Sequence, residues 1–99
     1  MDKTGIRVVA RLIAQADKVE ALQAVLLGLL EPTRAENGCI SYDLLHNTTD
    51  TTDFTFVEEW TGEDALQAHF RSDHLLAARA RFPDLLAAEA DIRIYSLAG

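Results

Sequence analysis

Basic residues are scarce in this chain. Nine Lys and Arg stand against 16 Asp and Glu over 99 residues, a net charge of −7. No basic run occurs, and phosphate backbones are bound by clustered cations, so nucleic acid is not an expected partner. Cysteine is nearly absent: Cys39 is the only one, which excludes an internal disulfide and fits a reducing compartment. Long apolar runs are missing too. The longest, residues 24–30, is broken by Gly28 and falls far short of the roughly 20 residues that span a bilayer, so no membrane association is expected. Residues 1–5 lack the apolar core and small-residue cleavage site of a secretory signal, so a cytoplasmic location is the expectation. No Pro/Gly/Ser linker, repeat or low-complexity tract divides the sequence, which reads as one domain over residues 1–99. A chain this short buries a modest core, and dimerisation would add to it.

What is present is a carboxylate in the middle of an aromatic strand. In Phe54-Thr55-Phe56-Val57-Glu58-Glu59-Trp60, period two puts Phe54, Phe56, Glu58 and Trp60 on one face. Three aromatics mark that face as buried. A charged Glu58 among them is costly unless it is paired or hydrogen-bonded. The following segment, Thr61 onward, reads as a helix that returns His69 over the same face. The pattern suggests a small apolar pocket with a few placed polar groups.

The rest of the chain supplies the frame. Residues 6–14 read as a β-branched strand, with Val8, Ala10 and Leu12 on one face and Arg7, Val9, Arg11 and Ile13 on the other. Asp17, with Glu20 three residues on, suggests a capped helix start. Val19, Leu22, Val25, Leu26, Leu29 and Leu30 form a helical stripe. Pro32 should kink that helix or end its regular part, and Asn37-Gly38 supplies a left-handed stop. Residues 39–46 form a second strand, and residues 47–53, with four threonines, an exposed turn. Thr61 is expected to cap the next helix with Asp64 as its reciprocal partner. Ser72-Asp73 restarts a short helix over residues 74–81 that stops before Pro83. Residues 91–97 form the last strand.

The order β-α-β-β-α-β, with right-handed crossovers, predicts an α+β fold of the ferredoxin-like type. Four antiparallel strands form one sheet, strands one and three are central, and the helices lie on one face. The opposite face would expose Val9, Ile13, Val57 and Leu45. An apolar sheet face of that size calls for a partner, and a two-fold homodimer is the simplest.

Three stretches resemble one family. Arg34-Ala35-Glu36-Asn37-Gly38-Cys39-Ile40-Ser41-Tyr42 resembles the R-x-E-x-G-C-x-x-Y stretch of the antibiotic biosynthesis monooxygenase (ABM) domain. Phe56-Val57-Glu58-Glu59-Trp60 resembles its F-x-E-x-W, and Ala65-Leu66-Gln67-Ala68-His69 its A-L-x-x-H, with His74-Leu75 in the segment that follows. The resemblance covers almost the whole chain in order. It implies a dimeric α+β barrel with one pocket per subunit between sheet and helices. The family is similar to cofactor-free quinol and anthrone monooxygenases, to a phospho-sugar isomerase of quorum signalling and, more distantly, to haem-degrading enzymes. The haem branch uses an Asn on strand one, a Trp on the second helix and a later His. Ala10, His69 and Arg79 stand at those places, so haem degradation is not expected.

The expected site follows. His69 is the general base and Glu58 the carboxylate that orients and polarises it. Trp60 and Phe56 stack on a substrate ring, Tyr42 steadies an oxygen, and the resemblance adds His74 to the substrate-binding set. Phe54, Phe56 and Trp60 would otherwise be plain core, and Arg34 a partner for an acid or a helix end. Cys39 reads as a small buried residue with nothing to activate its thiolate. His74 follows His69 by five residues, off one helical face, and His46 and Cys39 lie elsewhere, so no metal-ligand spacing is read. No phosphate loop, dinucleotide fingerprint or nucleophile elbow occurs, so no cofactor is expected. The expected activity is cofactor-independent oxidation by O₂ of a small phenolic, hydroquinone or enolisable metabolite. The same base could instead run a proton-transfer isomerisation, and a ligand-binding dimer without turnover is the non-enzymatic alternative.

Overall fold

The computed structural model describes residues 5–99. Residues 1–4, part of the stretch read above for a targeting signal, lie outside them. The elements are β1 (Ile6–Ile13), α1 (Val19–Leu27), α2 (Leu30–Arg34), β2 (Cys39–His46), β3 (Asp53–Trp60), α3 (Glu63–Phe70), α4 (Asp73–Leu85) and β4 (Asp91–Ser96). One antiparallel sheet has the strand order β2-β3-β1-β4. The ferredoxin-like plan is therefore present, with β1 and β3 at the centre. Among the described residues no helix is long and apolar enough to cross a membrane.

Period two decides which face of the sheet is covered. Val8, Ala10 and Leu12 of β1 are buried beside Phe54, Phe56, Glu58 and Trp60 of β3, and α1 lays Leu22 and Leu26 on them. Leu22 and Leu26 are wholly buried, and each contributes about 1.5–3 kcal/mol by leaving water. On the opposite face Val57 pairs with Val9 at the centre, and Val57 and Leu45 are exposed. Ion pairs flank that apolar centre: Arg7 with Glu59 at 3.3 Å and Arg11 with Asp53 at 3.2 Å.

The first helix breaks where Pro32 demands it. A proline ring clashes with the carbonyl four residues back, here that of Gly28. Helix α1 ends at Leu27, and α2 carries Pro32 inside it. Gly38 has φ +90°, the left-handed conformation expected there, but it lies in the turn before β2 and does not stop the helix, which ends at Arg34 with Ala35 as its cap.

Three local expectations are corrected. Asp17 does not cap α1: residues 16 and 17 lie in a turn closed by Lys18 N–H to Gln15 O (2.9 Å), and Lys18 takes the capping position without a side-chain bond. Thr61 does not cap α3, because its N–H bonds to Gly38 O (2.9 Å) and Gly62 occupies the cap. The last helix does not stop before Pro83 but runs to Leu85. Pro83 falls in its final turn, where Leu85 is buried and Phe82 and Leu86 pack on the core. That packing outweighs the weak local preference against proline near a helix end. The restart at Ser72-Asp73 is as expected: α4 begins at Asp73, and Ser72 caps it, its Oγ accepting from Leu75 N–H.

Candidate active site

A cavity of about 780 Å³ lies between the covered sheet face and α4 with the segment that follows it. Its walls are apolar: Val8, Ala10 and Leu12 from β1, Phe56 from β3, Leu75 and Phe82 from α4. Its polar groups are few: Tyr42, Glu58 and His69, all buried, with Arg79 and Glu89, both exposed. The helices leave the β4 edge uncovered, so Ile92 and Ile94 are exposed and still line the cavity.

His69 sits in the last turn of α3 and is 2% exposed. Its Nδ1 lies 2.7 Å from Glu36 Oε2. The same oxygen lies 2.7 Å from His74 Nε2. A carboxylate only accepts, so both rings present N–H to it, which assigns the Nδ1–H tautomer to neutral His69. Its Nε2 then carries a lone pair and has no hydrogen-bond partner among the described residues. Burial lowers the pKa of His69, and the hydrogen bond and charge of Glu36 only partly offset that. The ring is thus neutral and able to accept a proton at neutral pH. Trp60 packs against it at 4.7 Å between ring centroids, and Tyr42 meets it edge-on at 5.6 Å.

Glu58 and His69 are expected to meet directly or through one water; no direct hydrogen bond joins them. Glu58 Oε1 instead accepts from Trp60 Nε1 at 2.9 Å, because residues two apart on a strand share a face. Glu36 orients His69. Its backbone is tied by Glu36 N–H to Thr33 O (3.0 Å) and Cys39 N–H to Glu36 O (3.2 Å), so the loop between α2 and β2 holds the carboxylate. The sequence signal for Glu36 was the acid within R-x-E-x-G, two residues before the glycine turn.

The other expected site residues divide. Phe56 and Tyr42 line the cavity and stack on each other at 4.6 Å. Burial and the nearby Glu58 charge raise the pKa of the Tyr42 phenol, which keeps its proton and can donate to a ligand oxygen. Trp60 is wholly buried behind the wall and holds Glu58 rather than a ligand. His74 does not line this cavity and instead braces Glu36 from outside. Arg34 bonds Tyr42 O and Asp43 on β2, the acid-pairing role expected of it. Burial raises the Cys39 pKa, away from a reactive thiolate.

The spacing argument against a metal cluster does not survive folding. The chain breaks between α3 and α4, where Ser72 bonds back to His69 O (2.7 Å), and this brings His74 round to Glu36. The ligand atoms of Glu36, His69 and His74 lie within 4.8 Å of one another, a group that could hold a metal ion. Here one carboxylate oxygen satisfies both ring N–H groups, and a metal would have to displace those protons.

Glu58 is 4% exposed, and burial raises its pKa from 4.5 to about 7, against the opposing Trp60 hydrogen bond. The unfolded chain loses this proton near 4.5 and the folded chain only near 7. Between those values the folded state binds more protons, so stability falls as pH rises through the window. Glu58→Gln keeps an acceptor for Trp60 and removes the charge. It should stabilise the protein by on the order of 3 kcal/mol at pH 8 and by almost nothing at pH 4.5, read by urea unfolding. An equal effect at both pH values would show that ionisation is not the cause.

The fold and cavity define a small α+β ferredoxin-like domain with an apolar site that holds a neutral histidine and a buried carboxyl. A family profile described as "Antibiotic biosynthesis monooxygenase" matches residues 5–81, and the chain belongs to that family. It is 37% identical over 93 residues to the uncharacterized protein sll1783 of Synechocystis, covering 94% of this chain and 63% of that protein's length. It is 38% identical over 81 residues to "Putative monooxygenase Rv0793" of Mycobacterium tuberculosis, covering 82% of this chain and 79% of that protein. The solved structure of Rv0793 superposes with a TM-score of 0.91 at 32% identity, over 96% of both chains. A conserved protein of Methanosarcina mazei superposes with a TM-score of 0.88 at 33% identity, over 94% of this chain and 92% of that one.

Proposed function

We propose that the protein is a cofactor-independent monooxygenase of a phenol, hydroquinone or similar enolisable metabolite. The observation that carries this reading is His69. Its Nδ1–H is anchored on Glu36 and its Nε2 is left unpartnered on a residue of the cavity wall. Nε2 takes a proton from the substrate hydroxyl or activated methylene. The resulting anion is electron-rich, gives an electron to O₂ and combines with the reduced oxygen at carbon. The peroxide takes the proton back from His69, and loss of water, which removes the hydrogen of the same carbon, leaves a carbonyl, so one oxygen atom ends on carbon and the other in water. The substrate supplies the electrons, in keeping with a sequence without cofactor fingerprints. Tyr42 and the protonated form of Glu58 donate hydrogen bonds to the developing oxyanion, and the apolar walls keep water away. Aerobic incubation with hydroquinones should consume O₂ in metal-chelated, flavin-free and haem-free protein. Conversion without O₂ uptake would move the reading to a proton-transfer isomerase. Tight binding with no turnover would make the protein a ligand-binding dimer.

The reading includes a two-fold homodimer that buries the helix-free sheet face. Exposed Val57 lies at its centre, paired with Val9 and flanked by self-contained ion pairs. Val57→Glu would place a desolvated charge there and should weaken the dimer by about tenfold or more. A wild-type monomer by light scattering at micromolar concentration would remove the proposal.

A further inference from the structure

We propose that the substrate of this site carries a carboxylate at the end remote from its reacting hydroxyl, and that Arg79 binds it at the cavity mouth. The orientation, hydroxyl inward, rests on the base reading of His69; the carboxylate preference stands on the mouth itself.

Arg79 is the one Lys or Arg on the cavity wall. It lies on the same α4 face as Leu75, Phe82 and Pro83, which also line the cavity. Its side chain is exposed, and no carboxylate lies within ion-pair distance of it among the described residues. Four arginines are paired, Arg7 with Glu59, Arg11 with Asp53, Arg34 with Asp43 and Arg93 with Asp91; Arg71 and Arg81 have no such pair among the described residues either, but neither lines the cavity. A chain of net charge −7 repels anions in general, so an anionic ligand needs a local cation, and on this wall Arg79 is the one that offers it.

The inner end holds no cation, and after burial the nearby Glu36 charge also raises the pKa of both Tyr42 and Glu58. A permanent carboxylate is disfavoured there, whereas a hydroxyl can enter neutral and be met by the Tyr42 and Glu58 donors as it ionises. A ligand with a hydroxyl at one end and a carboxylate at the other is therefore sorted by charge into one orientation. One guanidinium with Glu89 on the same wall suits a monoanion better than a phosphate dianion, and guanidinium matches the planar carboxylate fork. A cavity of about 780 Å³ also has room for more than a single phenol ring, and both His69 and Arg79 line it.

The test measures binding without turnover. Under anaerobic conditions, quenching of the lone tryptophan would report binding of 6-hydroxy-2-naphthoic acid and its neutral carboxamide. Wild-type protein should bind the acid roughly fivefold to tenfold more tightly, the worth of a partly solvated charge-assisted pair. Arg79→Gln should abolish that preference and leave carboxamide affinity unchanged. Glu89→Gln should enlarge it. Arg79 is exposed, so both variants should keep the wild-type melting temperature. Equal wild-type affinities for acid and carboxamide would overturn the proposal, as would a preference that survives Arg79→Gln. Arg79-dependent acid binding in a protein that consumes no O₂ would support this inference and sink the monooxygenase reading. O₂ consumption with neutral hydroquinones that is indifferent to Arg79 and to an added carboxylate would do the reverse.

Discussion

His69→Ala lowers the rate of O₂ consumption by about 10²–10⁴-fold at saturating substrate, the usual worth of a positioned general base. The imidazole offers the cavity an unpartnered nitrogen on a ring whose other nitrogen is committed to Glu36 at 2.7 Å. Nothing else on the wall replaces it. Tyr42 keeps its proton because burial raises its pKa, and Glu58, pushed up to about 7, serves the reaction in its protonated form as a hydrogen-bond donor. The loss should fall on kcat. Phe56, Leu75 and Phe82 still form the walls, so substrate affinity should change by only a few fold. Removing a buried ring also leaves a hole, so the variant's melting must be checked beside its kinetics. Glu36→Gln is the companion variant. It keeps a hydrogen-bond acceptor for the imidazole and removes the charge, so its defect should be milder and accompanied by a shifted pH profile of kcat/KM. Undiminished turnover in a folded His69→Ala protein would show that the proton goes elsewhere.

The frame of this site was legible because two periodicities are unambiguous here. Alternation in β1 and β3 sorted Val8, Ala10, Leu12, Phe56 and Glu58 onto the covered face, and the Leu22–Leu26 spacing placed α1 over it. The resemblance in R-x-E-x-G, F-x-E-x-W and A-L-x-x-H then fixed the family. The partner of His69 was not legible. Glu36 and His69 are 33 positions apart and meet through a loop, and no periodicity relates a loop carboxylate to a helix. Glu58 drew the assignment because its cost of burial is visible in sequence, whereas the Trp60 indole that satisfies it looks like ordinary core. His74 was misplaced for a related reason. The five-residue count holds only for a continuous helix, and the restart expected at Ser72 does not by itself say where the redirected α4 carries His74. The end of α4 was set by tertiary packing of Leu85 against the proline rule, a contest that local sequence cannot decide.

Gly38→Ala should be the most damaging single methyl that can be added near this site. Gly38 has φ +90°, a backbone region that costs an L-residue about 1–2 kcal/mol. The added Cβ would also stand 2.5 Å from the Ala65 Cβ and 2.7 Å from Thr61 Oγ1. The Thr61 hydroxyl can turn about its χ1, but Ala65 has no rotamer to change and sits on α3. Relief therefore requires α3 to move off the turn, and overpacking of this kind costs typically about 1–3 kcal/mol more. For a domain of this size each kcal/mol lowers the melting temperature by about 4–8 °C, so a drop of roughly 10 °C or more is expected by calorimetry. Function should suffer beyond stability, because the same turn joins the two halves of the dyad. Glu36 lies two residues before Gly38, and α3, which Gly38 packs against, carries His69. Ala65→Gly in the Gly38→Ala background removes the nearest clash but not the backbone cost. It should restore the steric part, less about 1 kcal/mol for glycine within a helix. Wild-type melting in Gly38→Ala would mean that the turn is not built as described. Full rescue by Ala65→Gly would assign the whole defect to the clash and none to the left-handed backbone.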